Sequence, residues 1–290
     1  VIKNKYRQQQ PFSAGLDGQI RYGFGDARLY FKDGKGETGL LLGIRADKIQ
    51  NGVKFHLFPD DPIIAFRPFK LNPDNYVVVR SMKDIEANLR LSGDNNAALW
   101  IHSQAESDEM EEVHAELNQI DLGVISNAFS YIPPMKGILN ADFQYAPSDS
   151  AFMVVADMNI DDLYYENERV GELMFNAVYL PLEQGNHQVD MHLFRDRKEV
   201  SAITALYQMG ETDHISGTVE FMHFPLDIAN PFIPDDMAKM GGDLDGTLAI
   251  SGQSDKPMAE GYLILDTASV YVGAAGSTCL LYTSYAADEA

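Results

Sequence analysis

Apolar and polar residues alternate with a period of two along most of this chain. In residues 138–145, four apolar side chains fall on one side and Asn140, Asp142 and Gln144 on the other. Because successive side chains of a β-strand point to opposite faces of a sheet, this period predicts half-buried strands. Further strands are predicted at residues 18–24, 27–32, 40–46, 53–58, 76–80, 85–91, 97–102, 152–160, 187–193, 215–221 and 244–250.

Helical periodicity is nearly absent. Two short amphipathic helices are predicted, around residues 122–129 and around residues 226–240. Pro231 and Pro234 interrupt the second, which we expect to form at most one or two turns. The predicted fold class is therefore all-β, with one or two short helices.

Two segments share one order of features, which predicts a tandem β-rich repeat. Residues 115–145 and 217–250 each contain a strand, a short helix, a proline-containing link, a glycine and a second strand, at an offset of about one hundred residues. The predicted divisions are residues 1–112, 113–214, 215–276 and 277–290. The matched positions are Asn127 with Asn230, Gly137 with Gly242, Leu139 with Leu244, and Phe143 with Leu248.

The two ends of the chain do not help to predict the fold. Residues 277–290 break the alternation and resemble a translated sequencing adapter, so we expect this tail to be non-native. It holds the single cysteine, Cys279, and a chain without it forms no disulfide. The start lacks an initiator Met, so we expect an interior piece of a longer protein.

Charge excludes some partners. The 290 residues include 43 acidic and 22 basic side chains, a formal net charge of −21. Such a surface repels phosphate backbones and disfavours anionic membrane surfaces, so no nucleic-acid partner is predicted. The apolar runs are far too short to span a bilayer.

No motif predicts catalysis, a cofactor or a metal. The seven histidines lack zinc-site spacing, and the glycine-rich residues 33–39 lie between predicted strands, which favours a hairpin turn. We expect a solvated hairpin tip at the acidic residues 106–112 and surface positions for Asp243 and Asp245. The sequence thus predicts a non-enzyme, although a cleft with Trp100 beside two carboxylates would favour a hydrolase or carbohydrate-binding sandwich.

Residues 217–276 resemble the C-terminal region of the TamB family, the translocation and assembly module proteins of Gram-negative envelopes, in the wider AsmA-like group and in the form found in Bacteroidetes-type bacteria. Gly252, Pro257 and Gly261 match the family's Gly-x-x-x-x-Pro turn and the glycine of the next strand. The resemblance implies an elongated, curled, open antiparallel sheet, a β-taco or groove lined with apolar side chains. The matching apolar positions are Leu244, Leu248, Ile250, Leu263 and Leu265.

The family resemblance also implies a place in the cell. It implies a periplasmic segment, an inner-membrane anchor absent from this piece, and an outer-membrane assembly partner of the TamA/BamA type. The implied roles are phospholipid transport between the membranes and a linked role in outer-membrane protein assembly.

The alternation fits a lipid role. A phospholipid crossing water exposes its acyl chains, at roughly 0.8 kcal/mol per methylene and on the order of 25 kcal/mol in total. A trough with one apolar face per strand lowers this cost without bond chemistry. The predicted acyl-chain contacts are Leu139, Ala141, Phe143, Tyr145, Val154, Met158, Val219, Phe221, Leu244, Leu248, Ile250, Leu263 and Leu265.

Two alternatives remain open. A β-sandwich or solenoid would give the same alternation if its apolar faces packed against each other. A scaffold could instead hand unfolded outer-membrane strands along an exposed sheet edge, without transporting lipid.

Overall fold

The computed structural model describes residues 12–107, 110–129, 132–147, 152–166, 168–210, 212–233, 238–272 and 277–280. The chain divides into two compact units, unit 1 (Val1–Asp161) and unit 2 (Asp162–Ala290). The boundary falls inside strand β12 (Phe152–Tyr165). Each unit is described by itself below.

In unit 1 the strands follow one another in an antiparallel sheet. The pairing order is β1–β2–β3–β4–β7–β8–β9–β10–β11, with β5 paired to β4 and β6 to β8. A helix, α1 (Leu122–Ala128), separates β10 from β11. The strands are β1 (Ser13–Arg21), β2 (Phe24–Lys32), β3 (Thr38–Ile49), β4 (Gly52–Ile64), β5 (Arg67–Pro68), β6 (Lys70–Leu71), β7 (Tyr76–Ser81), β8 (Asp84–Ser92), β9 (Ala98–Ser107), β10 (Met110–Asp121) and β11 (Met135–Pro147).

Unit 2 repeats this meander. Strands β13 to β19 pair antiparallel, each with the next along the chain. A 3₁₀ helix, Leu226–Phe232, separates β16 from β17. The strands are β13 (Glu168–Pro181), β14 (His187–Arg195), β15 (Lys198–Gln208), β16 (His214–Pro225), β17 (Ala238–Gln253), β18 (Lys256–Val272) and β19 (Ser277–Leu280).

The predicted all-β class, with an open antiparallel sheet and a short helix, is confirmed. One predicted strand, residues 18–24, is wrong in extent, because Tyr22 and Gly23 form the turn between β1 and β2 and Gly23 has a φ of 78°. Strands β13 and β15 were not predicted. Apolar residues occupy both of their faces, as at Met174 beside Phe175, and this obscures the alternation.

The strand–helix–strand segments of the two units share a local geometry. Gln119 in β10 and His223 in β16 have φ values of 52° and 48°, and the strand register shifts at each. The N–H of Gln119 donates to Asn140 Oδ1 (2.9 Å) in β11, and the N–H of His223 donates to Asp245 Oδ1 (2.8 Å) in β17. Each bulge is therefore held by a polar side chain at the same place on the following strand.

In both units, a polar side chain near the end of the helix hydrogen-bonds to the backbone of the following strand. The Ser126 hydroxyl accepts from the N–H of Met135 (3.1 Å), at the start of β11. Asn230 accepts from the N–H of Met240 (2.7 Å) and donates to its carbonyl oxygen (2.8 Å), near the start of β17. Asn127 was matched with Asn230 in the sequence, whereas the residue in the corresponding role is its neighbour Ser126.

The buried core of unit 1 includes part of a segment that we call the strap, residues 62–71, which belongs to the sheet through the pairing of β5 with β4 and of β6 with β8. Leu71 of the strap packs with Leu89 and Leu91 of β8, and these three are 7%, 4% and 2% exposed. Ile64 and Phe69 of the strap also pack against this cluster. The strap thus fills the sheet between β4 and β8, in line with β7.

An aromatic contact requires the sheet of unit 1 to curl. The ring of Phe31 in β2 lies 5.3 Å from Phe129, directly after α1, and 6.1 Å from Phe66 of the strap. Strands β2 and β10 are six pairing steps apart, roughly 30 Å in a flat sheet at about 4.8 Å per step. Only a curled sheet brings these rings together.

Glycine relieves crowding inside β17. A Cβ on Gly246 would lie 2.2 Å from the carbonyl oxygen of Tyr262, and the φ of Gly246 is 148°. We therefore expect Gly246→Ala to lower the free energy of unfolding by roughly 1–3 kcal/mol. Gly25→Ala is the control, since its Cβ would meet no atom closer than 3.8 Å. Equal denaturation midpoints for the two variants would contradict the steric account.

Candidate functional site

Cross-strand partners place the apolar side chains of unit 1 on one face, here called the apolar face of unit 1. Partners in a sheet point to the same side, so each row of paired residues belongs to a single face. One row runs from β8 to β11 and the next continues it. Their members are Leu89, Ile101, Ala115 and Phe143, and then Leu91, Leu99, Leu117 and Ala141.

Unit 2 has a corresponding apolar face, crossed by rows that run from β13 to β18. Large side chains sit beside glycines, as Gly246 does between Phe221 and Leu263. This pairing of large with small residues leaves room on the face and permits strong sheet curvature. Three rows are Phe175–Leu193–Ser201–Phe221–Gly246–Leu263, Ala177–Met191–Ile203–Val219–Leu248–Gly261 and Tyr179–Val189–Ala205–Gly217–Ile250–Ala259.

These faces are only partly covered. In the rows of unit 2, every large apolar side chain keeps some exposure, and Leu263 is 49% exposed. In unit 1, Ile20 at the β1 end is 92% exposed and Phe143 is 41% exposed. Side chains of the same sheet account for much of the burial, including those of the strap in unit 1.

Eleven of the thirteen predicted residues fall on these faces. Phe143 and Ala141 lie in the rows of unit 1, with Tyr145 paired to Val113 and Leu139 to Ile120. In unit 2 the predicted residues in the rows are Val219, Phe221, Leu248, Ile250 and Leu263, while Leu244 and Leu265 pair just past the bulge.

Val154 and Met158 belong to the part of β12 that lies in unit 1, and both are half-buried. They share one side of that strand, because an even number of residues separates them.

The structure adds residues that the prediction did not name. The first strands of unit 1 form a concave depression of about 520 Å³, lined by Ile20, Ile44 and Phe55 among others. Their strands already showed the same alternation in the sequence. That signal extends the apolar face of unit 1 to β1.

One end of each apolar face is closed by the short helix. In unit 1, Val124 and Ile125 of α1 line an apolar cavity of about 230 Å³. In unit 2, Asp227 of the 3₁₀ helix forms a two-point ion pair with Arg195, whose side chain is 11% exposed at the end of β14. Helix α1 itself begins at an N-cap, Asp121, whose carboxylate accepts from the N–H groups of Gly123 (2.8 Å) and Val124 (3.1 Å).

The opposite face of unit 1 is polar and carries a ladder of stacked side chains. Trp100 stacks on His102 at 3.8 Å, and His102 stacks on His114 at 5.3 Å. His102 Nε2 lies 3.0 Å from Glu116 Oε1, and His114 Nδ1 lies 3.4 Å from Asp142 Oδ1. Trp100 lies opposite Glu116 of β10, and Asp142 of β11 lies on the far side of Glu116, but each carboxylate has a histidine partner.

The hydrogen bond from His102 holds the pKa of Glu116 below its usual range. Asn118 donates a further hydrogen bond to this carboxylate (3.3 Å) and acts in the same direction. These hydrogen bonds hold the Glu116 carboxylate in the ladder and leave it ionised at neutral pH.

One other candidate for chemistry, Asp245, has a structural role. Asp245 accepts from the N–H of His223, and Asp243 pairs with Asp266 across strands. Across the described ranges, no group of three His, Cys, Asp or Glu side chains could hold a metal ion. The predicted tip at residues 106–112 lies partly outside the described residues.

No helix in the described part of the chain has both the length and the apolar character needed to cross a bilayer. No protein-family model, curated protein or solved structure matches this chain.

The ladder predicts a pH dependence of stability. Because the pKa of Glu116 is lower in the folded state than its ordinary 4.5, its stabilising contribution is complete above that pH and is lost as the pH falls through the folded value. We expect Glu116→Gln to be less stable at neutral pH and to lose less stability between about pH 6 and about pH 3 than the unchanged protein.

Urea denaturation at a series of pH values measures this difference. Glu260→Gln, at an exposed position of β18, is the matched control and should follow the unchanged protein. Parallel curves for Glu116→Gln and Glu260→Gln would refute the role of the ladder.

Proposed function

We propose that this chain is a non-enzymatic segment that shields lipid acyl chains in the cell envelope, as part of a periplasmic route for phospholipid between the inner and outer membranes. The proposal includes a linked role in outer-membrane protein assembly with a partner of the TamA/BamA type. The observation that carries it is the half-exposed apolar face in each unit.

The physical support for the proposal is that the apolar faces are only partly buried. A soluble protein normally buries its large apolar side chains under a second layer, because exposure costs about 25 cal/mol for each Å². Within the described part of unit 2, each strand packs mainly on its sequence neighbours, and beyond them on the short helix. Acyl chains are flexible, apolar and narrow, and they fit a face of this kind.

The resemblance of residues 217–276 to the TamB family supports the same proposal from the sequence. Gly252, Pro257 and Gly261, which carry the resemblance, lie at the β17–β18 hairpin and along β18. Gly252 and Gly261 pair with residues on neighbouring strands of the apolar face.

Photo-crosslinking tests the proposal with matched positions. Phe143 is 41% exposed and the side chain of its neighbour Asp142 is 48% exposed, but they point to opposite faces of β11. A photoreactive residue at Phe143 or Leu248, in protein mixed with phospholipid vesicles, should capture phospholipid. The same residue at Asp142 or Thr247 should capture much less, and equal capture on both faces would count against the proposal.

A charged substitution tests the mechanism of shielding. Leu248→Asp puts a carboxylate into a row of apolar side chains, where no acyl chain can solvate it. Lipid transfer between donor and acceptor vesicles should fall by about tenfold or more. Thr247→Asp, on the opposite face, should transfer lipid at the rate of the unchanged protein. A normal rate for Leu248→Asp would exclude this face from the path.

A second candidate function, an assembly scaffold without lipid transport, is favoured by the free edge of β18. Strand β19 pairs with residues Ser269–Val272 of β18, and no other described strand pairs with that side of β18. The residues from Lys256 to Leu263 are exposed. An unpaired edge of this length can accept a strand from another protein.

The two functions differ in what binds. Under the scaffold function, a peptide with the sequence of an outer-membrane strand should bind and protect the amides of β18 from hydrogen exchange, while lipid capture at Leu248 stays at background. Under the proposed function, capture at Leu248 is strong whether or not such a peptide binds.

A further inference from the structure

The cavity under α1 extends the apolar face of unit 1, because Leu91, Leu99 and Leu117 of its lining belong to the second row of that face. It lies between α1 and the sheet, which here includes the strap, and has a volume of about 230 Å³. Leu99 and Leu117 come from the sheet, Phe69 from the strap, and Val124 and Ile125 from α1.

Its walls are held in place by polar contacts. The N–H of Phe69 donates to the carbonyl oxygen of Pro62 (2.8 Å), and the N–H of Phe66 donates to that of Gly39 (3.0 Å), which ties the strap to itself and to β3. The Ser126 hydroxyl of α1 accepts a hydrogen bond from the N–H of Met135. Hydrogen bonds thus hold the strap on one side of the cavity and α1 on the other.

The cavity has an apolar interior and a polar mouth. Five polar residues reach it, and all five are exposed, so they mark the side open to solvent. The mouth carries charges of both signs, and Arg67 makes no ion pair within the described residues. The five are Arg67, Asp94, Asn95, Gln119 and Asp121.

Size restricts the occupant. An apolar cavity of about 150 Å³ stays dry and accepts a benzene-sized molecule, whereas sites for drug-sized ligands begin near 300 Å³. The volume here lies between these limits and is too small for both chains of a phospholipid. It suits the end of one alkyl chain.

We infer that this cavity binds the methyl-terminal part of a single alkyl chain and sets a maximum length for the part that is enclosed, while the polar head stays at the mouth beside Arg67. Because the mouth has both cationic and anionic residues, the site selects the chain and not the sign of the head. The inference rests on the proposed function for the natural source of the chain, which is a lipid acyl group.

A chain-length series tests this inference in the intact protein. The probes are linear primary alcohols from hexanol to tetradecanol, with affinities measured by calorimetry. For an enclosed chain, affinity should rise about fourfold with each methylene, from roughly 0.8 kcal/mol per group, and then level off where the cavity is full. A rise that continues through tetradecanol would overturn the inference.

Two variants assign the plateau to this cavity. Ala97→Leu places extra volume in it and should move the plateau to shorter alcohols. Leu117→Ala enlarges it and should move the plateau to longer ones. The matched control is Ala249→Leu, the same exchange at an exposed position of β17 in unit 2, which should leave the plateau unchanged. A plateau that moves with neither cavity variant would also overturn the inference.

The alcohol series and the phospholipid crosslinking test can give different answers, so the cavity site and the proposed function can fail separately. Phospholipid capture at Leu248 with no plateau would remove the cavity site and leave the transport proposal standing. A plateau that shifts with the variants, together with no phospholipid capture at Leu248, would do the reverse.

Discussion

The structure depends on one constraint: a sheet with an apolar face must cover that face with something. In unit 2 the described strands cover it with one another, by placing large side chains beside glycines, as at Phe221, Gly246 and Leu263. This leaves the large residues half-buried, while the backbone ladder between strands satisfies the peptide groups. The remaining exposed apolar surface is the basis of our proposal that this chain shields lipid.

In unit 1, one part of the apolar face is tightly buried and another part is exposed. Leu89 and Leu91 are tightly buried beside Leu71 of the strap, whereas Ile20 and Phe143 at the two sides remain exposed. The curl that brings Phe31 to Phe129 helps to close one end of the face. Unit 1 is thus an open, curled sheet, and its cavity under α1 and its half-exposed rows are the observations behind the two lipid proposals.

Period-two alternation was enough to predict the fold class and most strands, because it records which side of each strand avoids water. It failed at β13 and β15, where residues such as Met174 and Phe175 are apolar on both faces. The alternation also located residues such as Leu248 and Phe143 on apolar faces.

It could not predict the strap or the cavity, which depend on contacts between residues far apart in the chain, such as Leu71 with Leu89. Nor could it show that His102 and Glu116 meet, since their pairing depends on register. The bulges at Gln119 and His223 were equally hidden, because each depends on a hydrogen bond from the following strand.

The most direct measurement compares the two faces at neighbouring residues of β18. Leu263 and Tyr262 are 49% and 60% exposed and point to opposite faces. Single cysteines at these positions, in a Cys279→Ser background that has no other cysteine, would be labelled with a water-soluble thiol reagent. The account predicts similar rates for both without lipid, and a selective slowing at residue 263, by about tenfold for a chain enclosed there, when phospholipid vesicles are added. Equal slowing at both positions, or a residue 263 that is already unreactive without lipid, would contradict it.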